Sequence, residues 1–146
     1  MNFIPTTLGP TLNYWCTWSC QGYCLQSPER TVADIMADEG VEAITDGQRY
    51  ALNEDNIFGP HGWAQRFFPD CRNELFLVFD DGWDLPLHDY RPYFGSLEVD
   101  TDKFPSCTGR PAERLRKLNN LCRDAGWRGA GLWICAQEAP VYFPDG

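Results

Sequence analysis

The feature that most constrains this sequence is a run of five consecutive apolar residues, 75–79 (LFLVF), which ends abruptly at Asp80, Asp81 and Gly82. Side chains alternate between the two faces of a β-strand, so a strand that is apolar throughout needs cover on both faces. This pattern is typical of a parallel sheet in an α/β protein. We therefore expect 75–79 to be a strand buried on both sides.

Two more segments complete an alternating order of strands and helices. Residues 12–18 (LNYWCTW) and 130–135 (AGLWIC) have the aromatic and apolar content of strands. Between the last two strands, residues 111–125 place apolar side chains on one face of a helix, with Gly126 at its C-cap. The order predicts an α/β fold in which 130–135 and 12–18 are the parallel neighbours of 75–79, one on each side.

The intervening segments are less regular. A helix is expected to begin near Pro28 and to reach a C-cap at Gly40. Short helical pieces are expected at 53–58 and 62–68. Residues 82–110 have little periodicity, which predicts a long loop packed against the domain.

The carboxyl ends of the predicted strands carry the candidate ligand-binding residues. In parallel sheets, ligands gather beyond these ends. Asp80 and Asp81 are neighbours, and on a regular strand they would point to opposite sides, which excludes an opposed catalytic pair. A sharp turn at Gly82 would let both carboxylates accept hydrogen bonds from vicinal sugar hydroxyls. The alternative is that the pair only caps a turn.

The aromatic content also suits sugar binding. The chain has six Trp, six Tyr and nine Phe residues, and flat rings stack on the C–H faces of sugars. Trp15 and Trp18 would face opposite ways on a strand, so Trp18, nearer its end, is the candidate platform. Trp133 lies inside the third strand and is expected in the core. The alternative use of all these rings is a Trp-rich core.

The cysteines number seven, an odd count that prevents complete pairing. Cys16, Cys20 and Cys24 do not match the spacing of zinc or iron–sulfur sites. We interpret them as small buried side chains or free thiols, and keep a thiol or metal protein as a minor hypothesis. The sequence has no glycine-rich phosphate loop, so no cofactor and no metal site are predicted.

Charge and length exclude several classes of protein. The 146 residues are 43% hydrophobic, which fits one domain, and the net charge of −9 would repel nucleic acid. No apolar run reaches the roughly 18 residues of a membrane span. The start has no basic segment followed by an apolar one, so no signal peptide is predicted, and the expected location is cytoplasmic.

The motifs resemble the N-terminal part of the catalytic barrel of α-galactosidase-type glycoside hydrolases, the melibiase group with its raffinose-synthase relatives. The resemblance covers about residues 12–138, in the family's order. The matching segments are 14–18 (YWCTW), 80–83 (DDGW), 95–100 (GSLEVD) with 103–105 (KFP), 124–127 (DAGW) and 131–133 (GLW).

This resemblance implies a (β/α)8 barrel that hydrolyses terminal α-galactosides with retention, of which 1–146 would form a single partial domain holding the first three βα units. It implies that the substrate is bound by five residues: Trp18, Asp80, Asp81, Trp83 and Trp133.

The resemblance also implies where the catalytic residues belong. The family's nucleophile follows the fourth strand and its acid/base follows the sixth. Both are therefore expected beyond Gly146, and no catalytic residue is expected in this chain. The role of Glu138 stays open, because the third strand departs from the family's pattern there.

Two further expectations follow. A non-catalytic carbohydrate-binding or interaction protein built on the same units is the alternative function. A sheet of three strands would leave two unpaired edges and one uncovered face, which predicts an exposed apolar patch and self-association. The oligomeric state is left open.

Overall fold

The computed structural model describes residues 12–88 and 91–134 as a mixed α/β structure. The elements alternate between strands and helices, apart from a hairpin after the second strand. In chain order they are β1 (Tyr14–Cys16), α1 (Trp18–Tyr23), α2 (Val32–Ala51), α3 (Glu54–Phe58), α4 (Trp63–Arg66), a 3₁₀ turn (Arg72–Glu74), β2 (Phe76–Phe79), β3 (Asp84–His88), β4 (Arg91–Val99), α5 (Pro111–Asp124) and β5 (Gly129–Leu132).

Strands β1, β2 and β5 form a parallel sheet with β2 in the centre. Leu77 of β2 lies level with Trp15 of β1 and with Ala130 of β5. The predicted strand order and parallel pairing are therefore confirmed. The outer strands are shorter than predicted, because Trp18 already begins α1 and β5 ends at Leu132. The last residue of the predicted third strand, 135, lies outside the described residues.

The two faces of this sheet differ in burial. Leu77 and Phe79 are completely buried against the helices, whereas Phe76 and Val78, which point the other way, are half-buried. Tyr14, which lies level with Phe76, is 64% exposed. The expectation that this strand is buried on both faces is therefore wrong in the part of the chain that the structure describes. We call the uncovered side, formed by Tyr14, Cys16, Phe76, Val78 and Gly131, the open face.

The covered face carries most of the aromatic packing. The ring of Trp15 lies 5.0 Å from that of Phe67 and 5.8 Å from that of Trp127. At the other end of the sheet, the Phe79 ring lies 5.9 Å from that of Phe104. Aromatic pairs at such distances add to the energy of burial, so much of the aromatic content stabilises this layer.

Helix α2 begins later than the sequence predicts and consists of two segments that meet at Gly40. It starts after Thr31, whose hydroxyl accepts the Asp34 N–H while the Asp34 carboxylate accepts the Thr31 N–H. Gly40 has a positive φ of 87° and kinks the helix, as a C-cap glycine would, but the chain resumes its helical path to Ala51. The predicted end at Gly40 is therefore confirmed for the first segment, and a second helical segment, on which Ile44 is buried, follows it directly.

Helix α1 was not predicted, but the other remaining helices agree closely with the sequence. The pieces expected at 53–58, 62–68 and 111–125 appear as α3, α4 and α5. Helix α5 buries Leu118 and Cys122 and is followed by Gly126 with φ 89°. No helix within 12–88 and 91–134 is both long and apolar enough to cross a lipid bilayer.

Residues 82–110 contain regular structure that the sequence did not predict. Strands β3 and β4 pair as an antiparallel hairpin in which Asp84 lies opposite Val99 and Pro86 opposite Gly95. Two irregularities in register interrupt the pairing. Bulges of this kind break the alternation of apolar and polar residues, which is why the segment reads as a loop.

Candidate functional site

Four of the predicted sugar-binding residues lie where the strands of the parallel sheet end. Trp18 begins α1 one residue after the Thr that follows β1, Asp80 and Asp81 follow β2, and Trp133 follows β5. The Trp133 N–H donates to the carbonyl oxygen of Phe79 at 2.8 Å, so β2 and β5 stay paired to this edge. The carboxyl edge is therefore the candidate site.

Asp80 lies at the end of the open face. The Cys16 thiol, which belongs to that face, donates to Asp80 Oδ2 at 2.7 Å. The backbone N–H of Asp81 donates to Asp80 Oδ1 at 2.8 Å, and the Asp80 N–H donates to Thr17 Oγ1 at 3.0 Å. A carboxylate has about four acceptor positions, so Asp80 can accept further hydrogen bonds from hydroxyl groups on the open side.

Asp81 turns to the helix-covered side. Arg49 Nη1, near the end of α2, lies 3.0 Å from each Asp81 carboxylate oxygen. The two side chains are only 7% and 16% exposed. Gln21 of α1 donates to the Asp81 carbonyl oxygen at 3.0 Å. Burial raises the pKa of Asp81, and the positive charge of Arg49 opposes that rise. Asp81 is therefore held by two helices.

Gly82 allows the sharp turn between these two environments, as predicted. Its φ is +103°, and a Cβ at this position would lie 2.9 Å from the Cα of Arg49. Lys103 donates from Nζ to the Gly82 carbonyl oxygen at 2.8 Å. The ammonium group of Lys103 also lies 5.7 Å from the centre of the Tyr50 ring.

Two further carboxylates join these cations. Asp84 is 6% exposed and accepts the Leu97 N–H at 2.9 Å, and Asp100 lies 3.9 Å from Lys103 Nζ. Burial raises the pKa of Asp84 and lowers that of Lys103. We call this group the buried charge cluster; it comprises Arg49, Asp81, Asp84, Asp100 and Lys103.

The three candidate tryptophans have different environments. Trp18 is 40% exposed and Trp133 is 42% exposed, so the expectation of a core position for Trp133 is wrong. Trp83 is 2% exposed, and its indole N–H donates to the Trp133 carbonyl oxygen at 2.8 Å. A ring this buried has no free face for a sugar. The structure therefore assigns Trp83 to the core and corrects its inclusion among the sugar-binding residues.

The three N-terminal cysteines have separate surroundings. Cys20 is buried within α1 and Cys24 is exposed at its end. Burial and the hydrogen bond to Asp80 raise the pKa of Cys16 to about 11, so its thiol is protonated near neutral pH and acts as a donor. Among residues 12–88 and 91–134, no group of three or more His, Cys, Asp or Glu side chains could hold a metal ion.

A concave region lies beside the buried charge cluster. It is a cleft of about 550 Å³ lined on one side by α3 and on the other by Leu121 of α5. Its polar lining includes Asn53, Asp55, Asp102 and Lys103. The cleft shares Lys103 with the buried charge cluster, but none of the predicted sugar-binding residues lines it.

Four residues of the site were not predicted from the sequence: Cys16 as the partner of Asp80, and Arg49, Asp84 and Lys103. Asp84 directly follows the DDGW segment and Lys103 begins the KFP segment, so the sequence motifs could have indicated both residues. Arg49 had no signal, because it lies between the predicted helix end at Gly40 and the piece expected at 53–58, where no element was predicted.

Two residues that entered the sequence analysis, Glu138 and Gly146, lie outside the described residues. The structure therefore gives no position for Glu138, whose role stays open. The expectation that the nucleophile and the acid/base lie beyond Gly146 stays a prediction. The site described here consists of residues from 12–88 and 91–134 alone.

This arrangement suits recognition more than bond cleavage. A retaining glycosidase needs two carboxyl groups beside the same glycosidic bond. Asp80 and Asp81 instead contact different sides of the turn, one bonded to Cys16 and the other to Arg49. The edge therefore combines one carboxylate on the open side with two exposed indole rings.

Comparisons with known proteins identify no relative. No family model matches the chain, and neither the curated proteins nor the solved structures include a match. The candidate site thus stands on its geometry and on the sequence motifs.

Proposed function

We propose that this chain supplies the sugar-binding residues of a glycoside hydrolase that resembles α-galactosidases and acts on terminal α-galactosides. The fold proposed for the complete catalytic domain is a (β/α)8 barrel. Within it, β1, β2 and β5 would be the first three barrel strands, and the open face would line the interior.

One observation carries the proposal. Asp80, the exposed ring of Trp18 and the exposed ring of Trp133 lie at the same edge of a parallel sheet, beyond the carboxyl ends of its strands. Ligands bind at this edge in barrels and open α/β sheets alike. A carboxylate beside indole rings matches a sugar, which has hydroxyl groups at its rim and apolar C–H faces.

The chemistry of the proposed enzyme follows from the family resemblance. Hydrolysis with retention proceeds by double displacement through a covalent glycosyl intermediate, with one carboxylate as nucleophile and another as acid/base. The resemblance matches neither catalytic carboxylate to a residue of this chain. The residues named here would bind and orient the sugar. A cytoplasmic location is part of the proposal, since the odd number of cysteines fits a reducing compartment.

The test is a binding titration of the purified chain with galactose and melibiose, followed by NMR or calorimetry. We expect saturable binding of the galactoside. Asp80→Asn should weaken it by at least about tenfold, from the loss of charge-assisted hydrogen bonds. Asp70→Asn is the matched control, because Asp70 is an exposed carboxylate that precedes β2 in the chain and does not follow a strand end. Absence of saturable binding, or equal effects of the two substitutions, would refute the proposal.

A second assay addresses catalysis. We expect the 146-residue chain to release no p-nitrophenol from p-nitrophenyl α-galactoside. Turnover by this chain would contradict the assignment of binding residues alone. The alternative, a non-catalytic carbohydrate-binding or interaction protein, also predicts binding without turnover. Reading the gene for a further apolar strand that ends on Asp distinguishes the two hypotheses.

A further inference from the structure

We infer that Arg49 and Lys103 are positioning residues, which hold the 80–82 turn so that Asp80 alone of the two adjacent aspartates contacts the sugar. This inference rests on the proposed function and deepens it. The family resemblance implies that both aspartates bind; the geometry of the turn gives them different roles.

The first support is the number of contacts that hold the turn from the helix-covered side. Arg49 Nη1 lies 3.0 Å from both carboxylate oxygens of Asp81. Gln21 Nε2 donates to the Asp81 carbonyl at 3.0 Å, and Lys103 Nζ donates to the next carbonyl, that of Gly82, at 2.8 Å. Donors from α1, α2 and the 100–110 segment therefore converge on two consecutive residues.

The second support is the close packing of backbone at this point. A Cβ on Gly82 would meet the Cα, Cβ and carbonyl oxygen of Arg49 at 2.9 to 3.0 Å. The turn thus lies directly on the end of α2. For Asp81 to contact a ligand on the open face, its carboxylate would have to leave a guanidinium group that is itself only 7% exposed. Separating two such buried charges is strongly unfavourable.

Asp80 is in the opposite situation. Its carboxylate is held by the Cys16 thiol at 2.7 Å and by the Asp81 N–H at 2.8 Å, and both contacts are local to the carboxyl edge. Neither partner is a cation, so the negative charge of Asp80 is still available to hydroxyl donors. The cations of the buried charge cluster set the direction of the turn, and Asp80 acts as the acceptor.

The first experiment separates binding from stability. Galactose affinity and melting temperature are measured for Asp80→Asn, Asp81→Asn and the control Asp70→Asn. We expect Asp80→Asn to weaken binding by at least about tenfold with little change in melting temperature. Asp81→Asn should lower the melting temperature. At a temperature where this variant is folded, its galactose affinity should change by less than about threefold, since a side chain that does not contact the ligand contributes no binding energy.

The second experiment does not need the sugar. The rate of Cys16 alkylation by N-ethylmaleimide reports on the turn, because Asp80 bonds to that thiol and helps to raise its pKa. The exposed Cys24 and Cys71 are internal controls in the same chain. In Lys103→Met we expect Cys16 to react about threefold faster or more relative to these controls, since a higher thiolate fraction raises the rate. Arg49→Lys, which retains a cation, should have the smaller effect compared with Arg49→Met.

The outcomes distinguish this inference from the proposed function. If the wild-type chain binds no galactoside, the proposed function fails, and the Cys16 rates still test the positioning roles. If Asp81→Asn is folded and loses affinity as fully as Asp80→Asn, both aspartates contact the ligand and the inference is refuted. Unchanged relative Cys16 rates in folded Lys103→Met and Arg49→Met would also overturn it.

Discussion

The two faces of the parallel sheet show how differently neighbouring residues of one strand can be used. On the covered face of β2, Leu77 and Phe79 are fully buried beneath helices. On the open face, Phe76 and Val78 are half-buried, and nearby Tyr14 is 64% exposed. All four β2 residues are apolar, so composition does not separate them. The presence of helices on one side does.

The same division continues past the end of β2. Asp81 enters the covered side and pairs with Arg49, while Asp80 lies at the end of the open face beside Cys16. The covered side therefore uses its residues for stability, and the open side leaves them available for contact. The predictions below test this division, from the largest expected effect to the smallest.

Truncation at the two faces should have unequal consequences. Leu77→Ala should reduce the free energy of unfolding by about 3 kcal/mol, because it leaves a cavity in a closed core. Val78→Ala, on the half-buried open face, should reduce it by less than about 1.5 kcal/mol. Chemical denaturation of both variants, at a protein concentration too low for self-association, measures the difference. Equal losses would mean that the open face is covered in solution.

Two glycines with positive φ offer a similar contrast. A Cβ on Gly82 would lie 2.9 Å from the Cα of Arg49, whereas nothing lies within 4 Å of the position of a Cβ on Gly40. Gly82→Ala should combine strain and steric overlap and lower the free energy of unfolding by about 2 to 3 kcal/mol, whereas Gly40→Ala should lower it by only about 1 kcal/mol from strain. Thermal melts test the ranking, and a reversed order would contradict the close packing at Gly82.

The buried carboxylate of Asp84, on the covered side, should reduce the free energy of unfolding more as a larger fraction of it is ionised. Burial raises the pKa of Asp84 in the folded state, so its ionised form opposes folding, and this penalty disappears as pH falls through the raised pKa toward the unfolded value. Asn can still accept the Leu97 N–H. As pH falls from about 7 to about 4, the free energy of unfolding of the wild type should therefore rise relative to that of Asp84→Asn.

Asp34 supplies a control of opposite sign for this pH series. Its hydrogen bonds with Thr31 lower its pKa in the folded state. Its stabilising contribution is therefore present above the unfolded pKa and is lost as pH falls through the folded one. Stability relative to Asp34→Asn should fall over the acidic range. Urea denaturation at several pH values measures both differences, and parallel curves for the two pairs would contradict the assignment for Asp84.

The smallest effect on stability is expected at the exposed end of the open face. Tyr14→Ser should change the free energy of unfolding by less than about 0.5 kcal/mol, since its side chain is largely in solvent. The open face is apolar, and we expect the wild-type chain to self-associate through it. Sedimentation velocity should show less association in Tyr14→Ser. A monodisperse wild-type monomer would disprove the predicted self-association.

Local pattern was sufficient to predict the sheet but not the hairpin. The apolar run 75–79 and the helix at 111–125 are continuous signals, and both appear in the structure. The hairpin β3–β4 has two register irregularities, and Pro86 of β3 lies opposite Gly95 of β4. A register shift within a strand breaks the two-residue alternation of side chains, so a search for that alternation does not detect the strand.

By itself, the sequence determined that Asp80, Asp81 and Gly82 follow a parallel strand, because five apolar residues and a turn residue are local facts. Only the tertiary structure decided which aspartate is available. Arg49 and Lys103 are 32 and 21 residues away from their partners in the turn, and no local pattern links them to it. Which face a helix covers, and which charge meets its counter-charge there, depends on packing between distant segments. That packing turned one carboxylate inward and left the other on the open side.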